Sequence, residues 1–136
     1  MSNDRGWAKR AETAEAIARA EAPEPEAGAA VDLAHLRRYT LGDVGLEREI
    51  LNLFLAQMPI TIGVLRDATL DSDWKMASHS LKGSARAVGA WSLAAAAEQA
   101  EKLVGEGEDA RLAQVTVIEC EAAEVRAFIG RAYARV

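Results

Sequence analysis

Between Trp74 and Val88 the apolar residues of this chain recur at a helical period, and that recurrence limits the fold more than any other feature. An α-helix turns about 100° per residue, so positions three, four and seven apart share a side. One side of the stretch collects Trp74, Ala77, Leu81, Ala85 and Val88, and the other collects Lys75, His79, Lys82, Gly83 and Arg86. A segment built this way lays one side on a core and leaves the other in water. Strands are poorly supported elsewhere, since only 5% of the residues are aromatic and alanine supplies much of the apolar total. The predicted class is all-α, with a narrow core of closely approaching helices.

The rest of the chain divides at about residue 30. Residues 7–22 are rich in Ala, Glu and Arg and can form a helix, but Trp7 and Ile17 are its only strongly apolar residues, so it has little to bury. Ala22–Ala30 (APEPEAGAA) carries two prolines and a glycine and reads as a linker. Residues 1–30 are therefore expected to be an arm and linker, and residues 31–136 an independent bundle. In that bundle a short helix carries Leu33, Leu36 and Tyr39, and Gly42-Asp43 makes a turn with Asp43 as N-cap. A long helix over about Val44–Thr69 shows Leu46, Ile50, Leu53, Phe54, Met58, Ile62 and Leu65 on a broad apolar face, with Pro59 bending it. Asp71 and Ser72 are candidate caps for the histidine helix, which Gly89 should close in a left-handed conformation. A helix over about Trp91–Val104 follows, then the Gly105-Glu106-Gly107 turn, then a last helix using Leu112, Val115, Ala122, Val125 and Ile129. Short connections between four substantial helices predict an antiparallel four-helix bundle, with the N-terminal helical segment as a loosely docked addition.

Charge narrows the function. A net charge of −5 argues against nucleic-acid binding through phosphate contacts and against a polybasic membrane patch. No apolar run approaches the roughly 18 residues of a spanning helix, and the first residues (MSNDRGWAKR) lack the apolar stretch of a signal peptide. The single cysteine, Cys120, has no nearby activator and reads as structural in a reducing compartment. The expected location is the cytoplasm.

His79 is the candidate functional residue. Two bland readings compete: a core histidine with both nitrogens satisfied, and an ordinary solvated residue among lysines. The first conflicts with its place opposite the apolar stripe. Against the second stands Gly83, one turn further along the same side, where glycine costs a helix roughly 1 kcal/mol relative to alanine. A gap there clears room for another protein to approach the imidazole. Chemistry on an anionic group would use a neutral ring nitrogen as nucleophile, with Lys82, and more distantly Lys75 and Arg86, stabilising charge. The other ring nitrogen needs an acceptor, which Glu101 or Glu98 on the following helix can supply.

His79-Ser80-Leu81-Lys82-Gly83-Ser84, then Gly89-Ala90, Leu93 and Glu98 to Glu101, resemble the histidine-containing phosphotransfer (HPt) domains of two-component phosphorelays. The resemblance implies a phospho-accepting role for His79, a lysine facing the phosphoryl group at Lys82, and a receiver-docking glycine at Gly83. It implies a helix-end glycine at Gly89 and a contact between Glu101 and the histidine. Ser84 is expected to face the bundle and to matter for close packing. Lys75 and Arg86 join the docking face from the helical pattern alone. The family relays a phosphoryl group between a sensor or hybrid histidine kinase and the receiver domains of response regulators. The implied magnesium ion belongs to the receiver, so this chain needs no cofactor. Lacking a glycine-rich nucleotide loop, it is expected to carry phosphate rather than take it from ATP.

Other classes fit less well. A docking or inhibitory module using the same surface without phosphorylation is the runner-up, and the presence of His79 argues against it. A metal site fails on ligand count, because His35 is the only other histidine. His35 itself should be structural or merely exposed. No nucleophile–base pair suggests a hydrolase, and a monomer is expected because one bundle can bury its own core.

Overall fold

In the computed structural model, residues 29–133 are described, and they form five helices with no strand among them. The expectations for residues 7–22 and for most of the proline-containing linker lie outside these residues. Helix α1 (Leu33–Thr40) is short, and four long helices follow: α2 (Val44–Asp67), α3 (Asp71–Val88), α4 (Trp91–Glu101) and α5 (Glu108–Ala132). Helix α3 packs on α2 and α4, and α5 packs on the same two, so α3 and α5 stand diagonally across a four-helix bundle. Helix α1 crosses one end against α2 and α3. The all-α bundle expected from the helical periodicity is the observed fold.

Local chemistry explains the boundaries. The Asp32 carboxylate accepts from the His35 amide at 3.2 Å and starts α1, while Asp43 accepts from the Leu46 amide at 3.0 Å and starts α2. Helix α2 runs through Pro59 without a break. At α3 the expected caps need correction. Leu70 occupies the N-cap position without a side-chain bond. Asp71 instead lies in the first turn, where a negative charge suits the helix dipole, and pairs with Arg111 of α5. Helix α4 ends at Glu101, short of Val104, and the chain turns through Gly105 at φ 85°.

Gly89 closes α3 at φ 83°, a conformation costly for residues with a side chain. Its position is also crowded, because an added Cβ would stand 2.7 Å from the Asp32 carbonyl oxygen. That approach lets the Asp32 amide donate to the Gly89 carbonyl at 2.8 Å, tying α1 to the end of α3.

The core follows the periodicity with instructive exceptions. Leu51, Phe54, Met58, Ile62 and Leu65 of α2 are buried, but Leu46 and Leu53 are exposed and Ile50 is half-buried. The helices packed on α2 cover only part of its circumference, and its apolar face is wider than that. On α5 the expected core residue Leu112 is likewise exposed, and Val115, Ile118, Ala122, Val125 and Ile129 fill the interior. Cys120 is exposed on α5 and takes no part in the packing expected of it. Helix α4 contributes Ala94, Ala96, Ala97 and Ala100, whose small side chains let its backbone come close to α3 and α5.

One expectation about apolar length is also corrected. By length and composition α2 is sufficient to cross a membrane, and about a third of its most apolar stretch is buried in the bundle. The uncharged run from Ile50 to Leu65 produces this, and a helix lending one side to a protein core passes the same test.

A polar lock closes the α1 end. Glu47 is buried, accepts from Arg37 Nε at 2.7 Å, and also accepts from the Tyr133 hydroxyl. Arg37 holds the Glu47 carboxyl below its ordinary range, while burial, and then the hydrogen bond to Glu47, push the Tyr133 phenol up to about 12.

Candidate functional site

His79 stands in the middle of α3 with its neighbours Ala77, Ser78 and Leu81 buried and its own side chain 70% exposed. The packed side of the helix thus turns the imidazole outward. Its Nδ1 lies 2.7 Å from Glu101 Oε2, and the second oxygen of the same carboxylate lies 2.6 Å from Lys82 Nζ. Lys82, and then His79, hold the Glu101 carboxyl below its ordinary range against the opposing effect of burial. An ionised carboxylate only accepts, so Nδ1 is the nitrogen that carries the proton. Nε2 has no hydrogen-bond partner among the described residues, on a side chain that is mostly exposed.

The α3–α4 seam fixes this geometry. Trp74, fully buried on α3, donates its indole N–H to the Ala100 carbonyl at 2.7 Å, one residue before Glu101. Arg111 of α5 lies over the Trp74 ring at 5.2 Å. The helical pattern identifies Trp74 as a core residue but says nothing of this bond, because a periodicity cannot reveal which carbonyl an indole will meet. A tryptophan among alanines on the facing helix is the only sequence signal available.

The other predicted residues divide. Gly83 is exposed, and nothing lies within 4 Å of the Cβ it lacks. Lys82 is sheltered, with a side chain 15% exposed, and it turns to Glu101 rather than outward. Arg86 faces Glu98 at 3.5 Å, so neither Arg86 nor Glu98 joins the Glu101 cluster. Lys75 is exposed and has no ion pair among the described residues. Ser84 needs correction. It is exposed at the rim of the buried side, one position before Ala85, and its hydroxyl donates back to the Ser80 carbonyl at 3.0 Å. The serine that faces the bundle is Ser78, fully buried and donating to the Trp74 carbonyl at 2.8 Å.

His35 takes the structural alternative. It is buried, packs edge-on against Tyr39 and Trp91, and has Nδ1 3.0 Å from Arg38. Among the described residues no group of three or more His, Cys, Asp or Glu side chains is arranged to hold a metal ion.

An exposed imidazole with one nitrogen tethered to a carboxylate and the other without a partner among the described residues has the arrangement that nucleophilic chemistry requires. Comparison with curated proteins and with solved structures finds no match. A family model, that of the Hpt domain, matches residues 49–132, which include His79, Lys82, Gly83 and Glu101. That match covers more than half of the chain and agrees with the helical bundle, and the chain belongs to the Hpt domain family of two-component signalling.

Proposed function

We propose that this chain is a phosphocarrier in which His79 relays a phosphoryl group between a sensor kinase or hybrid-kinase receiver and the receiver domain of a response regulator. The observation that supports it most is the Glu101 contact to Nδ1, which leaves Nε2 as the reacting atom. In the forward step the Nε2 lone pair forms a bond to phosphorus. The bond from phosphorus to the donor's aspartyl oxygen breaks, and the aspartate leaves as a carboxylate. The imidazole then carries the phosphoryl group and a positive charge, which Glu101 offsets across the Nδ1–H bond. In the return step a second aspartate attacks phosphorus and the ring leaves neutral. Lys82, which shares the Glu101 carboxylate with His79, turns toward the phosphoryl oxygens when that carboxylate is engaged by the charged ring.

Gly83 gives the receiver room to approach, with Lys75 and Arg86 at the edge of the docking face. Gly89 and Ser84 support the helix rather than the reaction. The bundle is residues 31–136, works as a monomer in the cytoplasm, and needs no cofactor, because magnesium sits in the receiver. The test is incubation of the chain with a phosphorylated receiver, following acid-labile, base-stable label. Wild type should take up label and His79→Gln none. Label persisting in His79→Gln would remove His79 from this role, and a receiver that binds without any label passing would favour a docking module.

A further inference from the structure

We infer that the groove between α2 and α5 binds a small amphiphilic anion, an acidic head on a short hydrocarbon body, with Arg48 and Arg126 holding the head. The order of helices puts this groove on the side of the bundle opposite the α3–α4 seam that carries His79 and Glu101. It encloses about 310 Å³, at the lower end of the range for small-molecule sites and too little for a docked helix. Its floor is apolar, made by the buried Leu51 and Ile129.

Its rim is cationic in an acidic chain of net charge −5. Arg37, Arg66, Arg86 and Arg111 each take a carboxylate partner. Arg48, Arg126 and Arg131 do not: among the described residues none of the three has an ion pair or a side-chain hydrogen bond, and Arg48 and Arg126 line the same groove. Arg48 is steadied over the Tyr133 ring at 5.2 Å, which fixes its direction without neutralising it. A guanidinium fork from each helix suits a carboxylate or phosphate.

Gly130 supplies the third observation. It lies inside α5, where glycine is unfavourable by roughly 1 kcal/mol relative to alanine, and nothing stands within 4 Å of the Cβ it lacks. No turn or close approach requires it. What its missing side chain leaves is space in the groove.

The experiment is a titration of the full chain with octanoate, followed by amide chemical shifts, with inorganic phosphate and octanol as head-only and body-only probes. Octanoate should shift α2 and α5 residues around the groove saturably. Its Kd should rise at least fivefold in Arg126→Ala and in Gly130→Met, which fills the space, while Arg126→Lys loses less. Both positions are exposed, and unchanged helicity would show that the variants fold. Unsaturable shifts would overturn the inference. So would affinity undiminished in Arg48→Ala/Arg126→Ala, equal affinity for octanol or phosphate alone, or shifts centred on exposed Leu53 and Ile60 instead.

Discussion

His79 and Glu101 meet across the α3–α4 seam at 2.7 Å, and the carboxylate that holds the imidazole also holds Lys82 at 2.6 Å. One side chain therefore holds both the proton-bearing nitrogen of the imidazole and the ammonium of Lys82. Glu101→Ala should slow phosphoryl uptake about 10- to 100-fold, the loss expected for one charge-assisted hydrogen bond. Glu101→Gln should lose less, because an amide oxygen can still accept from Nδ1–H. Single-turnover transfer from a phosphorylated receiver measures both, and equal rates in all three proteins would remove Glu101 from the mechanism.

Lys82 is expected to act on the charge of the phosphoryl group and not on the fold. Lys82→Ala should reduce the transfer rate by about 100-fold while leaving His79 able to take label slowly. Thermal melting supplies the control, and a large drop in melting temperature would mark the lysine as structural.

At Gly83 stability and transfer should move in opposite directions. Gly83→Ala puts a methyl group into open space and should raise helix stability by about 0.5–1 kcal/mol. Gly83→Gln should keep the fold and slow transfer by obstructing the receiver. A Gly83→Gln protein that transfers at the wild-type rate would show that nothing approaches there.

Gly89 gives the contrasting case. Gly89→Ala places a methyl group 2.7 Å from the Asp32 carbonyl and keeps φ at 83°, so it should destabilise by at least about 2 kcal/mol. Denaturant unfolding followed by circular dichroism would read this, and wild-type stability would contradict the crowded α1–α3 contact.

The Tyr133–Glu47 bond makes stability depend on pH at both ends. Tyr133 is raised from 10.0 to about 12, so the folded state favours the neutral phenol. Its contribution is complete below pH 10 and is lost as pH rises toward 12. Glu47 is lowered, chiefly by Arg37, so its contribution is present above the ordinary 4.5 and is lost as pH falls through the depressed value. Tyr133→Phe should flatten the alkaline fall between pH 10 and 12 relative to wild type, measured by urea unfolding across pH. An identical alkaline slope in the two proteins would exclude the contact.

The features legible in the sequence are those set by nearest neighbours along one helix. The two sides of α3, the Asp43 cap and the left-handed Gly89 all depend on residues within a turn of one another. The misjudged positions depend on where other helices stop. Leu46, Leu53 and Leu112 carry the right period but have no neighbour to cover them. Ser78 and Ser84 both flank the apolar stripe, and only the placement of α4 and α2 around α3 decides which of them is enclosed. Glu47 would pass in the sequence for a surface carboxylate in the first turn of a helix, because its partners lie 10 and 86 positions away. Among the site residues, the pairing of His79 with Glu101 over Glu98 depends on how α4 lies against α3, where the Trp74 indole meets the Ala100 carbonyl.

The imidazole of His79, 70% exposed on the flank of its helix, has a tether behind it and no wall in front. A reactive group in such a setting gets no shelter from water from its own protein. The dry surroundings that speed phosphoryl chemistry must arrive with the molecule that covers it. On the proposed relay the partner supplies the missing half of the enclosure, and transfer should vary more with the identity of the visiting surface than with any change inside the bundle.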